Sequence, residues 1–142
     1  MMDRIFEVAG FKSYLLVGLG GSLGCALRWY LSRSFWQSAG AFPKSTLLAN
    51  VLAAFVLGIS LGCHERLQGS GGSAPLYLFA SVGFAGGLST FSTFAFELVN
   101  LLSAGGFVAA SLSLVLNVGL SMVFVLAGKF LLQVASSGSG AG

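Results

Sequence analysis

Between Gly83 and Glu97 the chain reads GFAGGLSTFSTFAFE, and Ser89 to Phe94 pack four hydroxyls and two phenyl rings into six residues of an otherwise apolar stretch. Hydroxyls and backbone amides donate hydrogen bonds, and phenyl edges carry partial positive charge. Such a set suits a small, hard anion that must exchange water for donors. Gly86 and Gly87, just upstream, are poor helix residues. A break near Gly86–Ser89 would end one half-helix in carbonyls and start the next with N–H groups. Carbonyl ends suit a cation such as Na⁺, and N–H ends suit an anion. After the break Phe91 and Phe94 share a helix face, as do Thr90 and Thr93. The alternative is a glycine kink whose freed backbone is rescued by Ser and Thr, with phenylalanines in lipid contact.

Few other polar groups lie in apolar surroundings. Asn50 sits next to Ser45 and Thr46 and is either interhelical glue or an amide donor facing a pathway. Ser113, Asn117 and Ser121 recur every four residues and so share one face, with Asn117 at the centre of a polar track. Arg28, followed by Trp29 and Tyr30, is either an interfacial anchor or a positive charge at a vestibule. Glu97 is the only acid in an apolar segment and reads as structural or interfacial rather than proton-coupling. Cys25 and Cys63 lack metal-ligand spacing and read as small buried hydrophobes. His64, the only histidine, reads as a loop residue beside Glu65 and Arg66. No nucleophile–base pair is visible, which argues against an enzyme.

The elements that hold these groups follow from composition. The chain has 142 residues, 56% hydrophobic and only 8% charged, where soluble chains run at about 25% charged. This is the composition of a membrane protein. The seven basic residues are too sparse for a nucleic-acid footprint and mostly flank apolar runs. Runs at about 14–31, 45–63, 76–102 and 107–132 each qualify as a bilayer crossing. The expectation is therefore an all-α membrane protein with a single domain of four transmembrane helices over residues 1–135, the third helix broken mid-membrane. QGSGGSAP forms a flexible loop, SAGG at 103–106 a tight turn, and 136–142 a flexible tail. Arg4 and Lys12 could flank a signal peptide. The glycine-rich middle of the first run, with no small-x-small site leading into a soluble domain, opposes that reading.

Four crossings would place Arg4, Lys12, Arg66 and Lys129 on one side, and Arg28, Arg33 and Lys44 on the other. Orientation follows the excess of Lys and Arg, and a difference of one charge favours neither. Insertion both ways round, with oppositely oriented copies paired about a two-fold axis, is the corresponding hypothesis. Gly20 with Gly24, Gly58 with Gly62, and Gly83 with Gly87 are small-xxx-small pairs that favour close helix association.

GGSLGCALRWY (20–30), FPKSTLLAN (42–50) and GFAGGLSTFSTFAFE (83–97) resemble, in order and spacing, three motifs of the small Fluc-type fluoride channel family. The resemblance covers all four expected helices, and the third motif is the most specific. It implies an antiparallel, dual-topology homodimer in the inner membrane of a microbe, exporting fluoride passively through two pathways. It further implies that Phe91 and Phe94 line the pore with Asn50, and that Thr90, Ser92 and Thr93 belong to the hydroxyl-rich break. Arg28 matches an arginine near the entrance, and Asn117 falls on the polar track. The backbone carbonyls of Gly86 and Ser89 match those holding a structural Na⁺ at the dimer interface. The chain departs from the family pattern at Ser45, Ala53, Ala85 and Ser89. Its competitors are a small four-helix multidrug-type exporter, which looks for a carboxylate that 14–31 does not contain, and a non-transporting assembly subunit. The latter leaves the clustered hydroxyls and phenyl rings unexplained.

Overall fold

The computed structural model describes residues 10–35, 42–67 and 73–137. Arg4, residues 68–72 of the expected loop and residues 138–142 of the expected tail lie outside them. Every described element is helical. Helix α1 runs over Phe11–Ser34 and α2 over Lys44–Leu67. Helix α3 opens as Ser73–Tyr77, winds with π geometry over Leu78–Ala85 and closes with the single α turn Gly86–Leu88. Helix α4 is Phe91–Ser103 and α5 is Phe107–Ser137.

Among the described residues three stretches are long and apolar enough to cross a membrane: Lys44–Leu67, Ala74–Ser103 and Phe107–Val134. The second joins α3 to α4 across their break. Helix α1 has the length, at 24 residues, but it is not among the three. Its glycines Gly18, Gly20, Gly21 and Gly24 and its basic residues Lys12, Arg28 and Arg33 dilute its apolar content.

Those glycines serve packing. A Cβ on Gly20 would collide with the Phe79 carbonyl, and one on Gly24 would collide with the Phe84 carbonyl and lie 2.7 Å from Leu88 N. Gly83 and Gly87 answer from the other side, against Val17, Gly20 and Gly21 backbone. Helix α1 thus lies backbone to backbone on α3, as small residues permit. The same device joins α2 to α5, where Gly58 meets Val125 and Gly128 meets Phe55 and Ile59 backbone. Gly128 was not evident as a partner from the sequence, because it belongs to no small-xxx-small pair. Between these two seams Ala49, Ala53, Ala85 and Leu88 form the core, flanked by Leu27 and Leu31 of α1.

Helix α4 turns into α5 through Gly105, at φ +75°, the only positive φ among the described residues. Gly106 N donates to Leu101 O at 2.9 Å across that turn, closing the helix as a left-handed glycine cap does. Outside the core the surface is apolar. Leu15, Leu19 and Leu23 along α1, and Val115, Met122 and Leu126 along α5, are all exposed. Stripes of that size call for lipid or another apolar surface.

Two expectations are corrected. His64 is no loop residue: α2 continues past the apolar run to Leu67, and the imidazole is buried, 4.9 Å from the Tyr77 ring of α3. Cys25 is exposed and Cys63 half-buried, so neither is the buried hydrophobe expected. Cys25 lies on the polar side of α1, with its sulfur 3.5 Å from both Gly87 O and an Arg28 nitrogen.

Candidate functional site

The break between α3 and α4 consists of two residues. Ser89 leaves the helix at ψ 151°, and Thr90 is extended at φ −150°, ψ 115°. Ser89 N still reaches back to Ala85 O at 2.9 Å. Beyond it the backbone must find partners elsewhere, since unpaired groups in an apolar medium cost several kcal/mol. Thr90 caps α4 itself: its Oγ1 accepts from Thr93 N at 3.2 Å, as N-cap hydroxyls do. The same Oγ1 donates to Thr93 Oγ1 at 3.0 Å and lies 3.3 Å from Ser92 Oγ.

The remaining partner comes from α2. Asn50 Oδ1 accepts from Thr90 N at 2.8 Å, and its Nδ2 approaches Thr90 O at 3.4 Å. The amide therefore brackets the broken backbone, giving it the donor and acceptor that a helical neighbour would have supplied. Asn50 Nδ2 also donates to Asn117 Oδ1 at 3.0 Å. Helices α2, α4 and α5 thereby meet at one polar point.

Around that point lies a groove of about 520 Å³, lined by Asn50, Ser89, Thr90, Phe91, Phe94 and Asn117 among others. The Phe91 and Phe94 ring centroids are 5.9 Å apart, inclined at 57°. Phe94 is 4% exposed and packed inward, whereas Phe91 is 80% exposed on the outer lip. Ser121 and Gly86 also line the groove, and the rest of the lining is largely apolar.

A second cavity of about 270 Å³ opens between α1, α2 and α4, where Cys25, Arg28, Ser32, Thr46, Thr90 and Thr93 face it. Thr90 belongs to both linings. Arg28 here does more than anchor the helix at an interface. Its Nε donates to Gly87 O at 3.1 Å, so a cation closes the carbonyl end of α3, where the helix dipole is negative.

The structure therefore divides the expected site residues. Asn50, Thr90, Phe91, Phe94 and Asn117 share the first groove with Gly86 and Ser89. Arg28 and Thr93 belong to the second cavity. Ser92 lines neither and is exposed. Sequence reasoning missed Thr46, whose Oγ1 donates to Glu97 Oε1 at 2.8 Å. The signal was available, because Thr46 precedes Asn50 by four and shares its face of α2. The other carboxylate oxygen, Glu97 Oε2, is buried with no hydrogen-bond partner among the described residues.

Apolar spans, glycine seams and a spanning helix broken between two cavities define a multi-pass helical membrane protein, its polar groups gathered inside and its apolar groups turned outward. The family described as CrcB-like protein, Camphor Resistance (CrcB), matches residues 15–129, and the chain belongs to it. Among its relatives is the fluoride-specific ion channel FluC of Clostridium perfringens, 36% identical over 121 residues, covering 84% of this chain and 93% of that one. The FluC proteins of Escherichia coli O1:K1 and Pseudomonas aeruginosa are 37% and 36% identical. Those matches cover 87% and 84% of this chain and 96% and 93% of theirs.

Proposed function

We propose that this chain is a fluoride channel, which conducts the ion passively and performs no covalent chemistry. The observation that carries the reading is the break at Ser89–Thr90, bracketed by Asn50 and overhung by Phe91 and Phe94 in one groove. A fluoride ion gives up tightly held water only where donors replace it. The Ser89 hydroxyl and the phenyl edges are such donors in the groove, and the Thr93 hydroxyl, which accepts from Thr90 and keeps its own proton, is one in the second cavity. The relatives' name, fluoride-specific ion channel, points the same way.

The working unit in this reading is a homodimer of antiparallel copies, with α1 as a fourth crossing held in place by its glycine seam. The nearly even charge balance supports either orientation, and the apolar stripes on α1 and α5 suit a partner or lipid. A structural Na⁺ fits the chemistry of Gly86 and Ser89. Both are exposed on the groove wall, and Ser89 has left the helical ladder. Backbone carbonyl oxygens are hard ligands suited to a hard cation. The role of such an ion is to hold two copies together at their breaks.

The test is anion efflux from liposomes containing the purified protein, with no pH gradient. Fast fluoride loss with chloride retained is the expected result. Retention of both ions by protein shown to be dimeric would sink the channel reading.

A further inference from the structure

A carboxamide has two ends of nearly equal size and opposite chemistry, so Asn50 could in principle offer either to Thr90. Backbone groups that cannot turn over decide the matter from two sides: at Thr90, where the carbonyl also lies 3.4 Å from Asn50 Nδ2, and at Ser113. At one end of a chain of contacts stands Thr90 N–H, a donor, and it meets Asn50 Oδ1 at 2.8 Å. At the other end stands the Ser113 carbonyl, an acceptor, and it meets Asn117 Nδ2 at 3.0 Å. Between them the two amides meet nitrogen to oxygen, Asn50 Nδ2 to Asn117 Oδ1, at 3.0 Å. Turning either amide over would set donor against donor at one joint and acceptor against acceptor at the other. Asn117 is 4% exposed, so water is not at hand to relieve such a mismatch.

We infer that Asn117 is a positioning residue that fixes which way round the Asn50 amide stands, and through it the backbone of the helix break. The information runs from Ser113 on α5, through Asn117 and Asn50, to Thr90 on α4. It keeps the Asn50 oxygen on Thr90 N–H and the two Nδ2 hydrogens on Thr90 O and Asn117 Oδ1, so that the extended backbone of the break is held from both sides. The effect on flux rests on the fluoride-channel reading; the orientation itself does not. A side chain that merely filled the space at 117 would tolerate leucine and suffer from a buried acid. A positioning residue ranks the two the other way, because aspartate keeps an oxygen for Asn50 Nδ2 and, when protonated, also donates to Ser113 O.

The measurement is the exchange rate of the Thr90 amide proton by NMR in micelles, referenced to amides in the middle of α2. Asn117→Leu should speed Thr90 exchange about tenfold, the weight of one buried hydrogen bond, while Asn117→Asp leaves it near wild type. Asn117→Ala removes the same oxygen without bulk and serves if the leucine variant does not fold. Unchanged Thr90 exchange in the leucine or alanine variant, or the reverse ranking, would overturn the proposal. So would acceleration of Thr90 and α2 amides alike. In liposomes Asn117→Leu should slow fluoride efflux about tenfold, with no further loss when it is added to Asn50→Ala. Losses that multiply would mean Asn117 acts independently of Asn50. A wild-type protein without flux but with a protected Thr90 would count against the channel reading alone.

Discussion

The seam between α1 and α3 offers a test with its own control on the same helix. Gly18 and Gly24 both lie inside α1, and replacing either with alanine gains roughly 1 kcal/mol of helix propensity. Around Gly18 a new Cβ would meet nothing within 4 Å among the described residues. At Gly24 it would meet the Phe84 carbonyl, lie 2.7 Å from Leu88 N and 3.1 Å from Gly87 C, where ordinary contact begins at 3.4 Å. These are backbone atoms and cannot rotate aside, so α1 must retreat by more than half an ångström. A gap of that order forfeits about a quarter to a half of each dispersion contact it opens, including those of Leu27 and Leu31 with the core. The propensity gain cancels between the two variants, leaving the packing cost of about 1–3 kcal/mol, near the upper end for a rigid obstacle. Gly18→Ala should therefore be neutral or slightly stabilised, and Gly24→Ala about 3 kcal/mol less stable than it. Reversible unfolding in mixed micelles, titrated with a denaturing detergent, reads the difference directly. Equal stabilities within about 0.5 kcal/mol would show that α1 does not pack on α3 as described.

Three further outcomes are expected. Phe94→Ile removes a buried ring that packs on Phe91; it should cut fluoride efflux roughly tenfold, the weight of an aromatic edge, without dissociating the protein on size exclusion. Undiminished flux would remove Phe94 from the pathway. Thr46→Val strips Glu97 Oε1 of its donor while Oε2 already lacks one; a loss of about 1–3 kcal/mol is expected, and an unchanged unfolding midpoint would mean that the hydroxyl is dispensable. Replacing Na⁺ with a large organic cation should lower the thermal midpoint of the detergent-solubilised protein, because a ligand bound only to the folded state stabilises it. Identical melting in both salts would leave Gly86 and Ser89 without a cation.

How far the sequence reached depended on the distance over which each signal acts. Phe91 and Phe94 share a face because they are three apart, and the hydroxyl-rich break announces itself through consecutive residues. Asn50 stands out as a polar group in an apolar run, yet its two partners lie 40 and 67 positions away. No local periodicity encodes such pairings, so glue and pathway stayed undecided. The structure shows one amide bracketing the break and bridging to α5. Arg28 was ambiguous for the same reason, its acceptor being a carbonyl 59 residues on. The π winding of Leu78–Ala85 left no mark, since LFASVGFA is as apolar for one helical pitch as for the other. His64 was misplaced because hydropathy marks where an apolar run stops, whereas a helix stops where its backbone bonding does, here one turn later at Leu67.

Thr90 belongs to the linings of both cavities, which makes it a shared wall. A substitution in a surface pocket is ordinarily judged by one set of neighbours and can be repaired from that side. At position 90 any change in bulk is felt in two compartments at once, one bounded by α5 and the other by α1. A repair made in either leaves the other unmended. Natural variation and directed selection alike should therefore reach this position late, and only through coordinated change on α1 and α5.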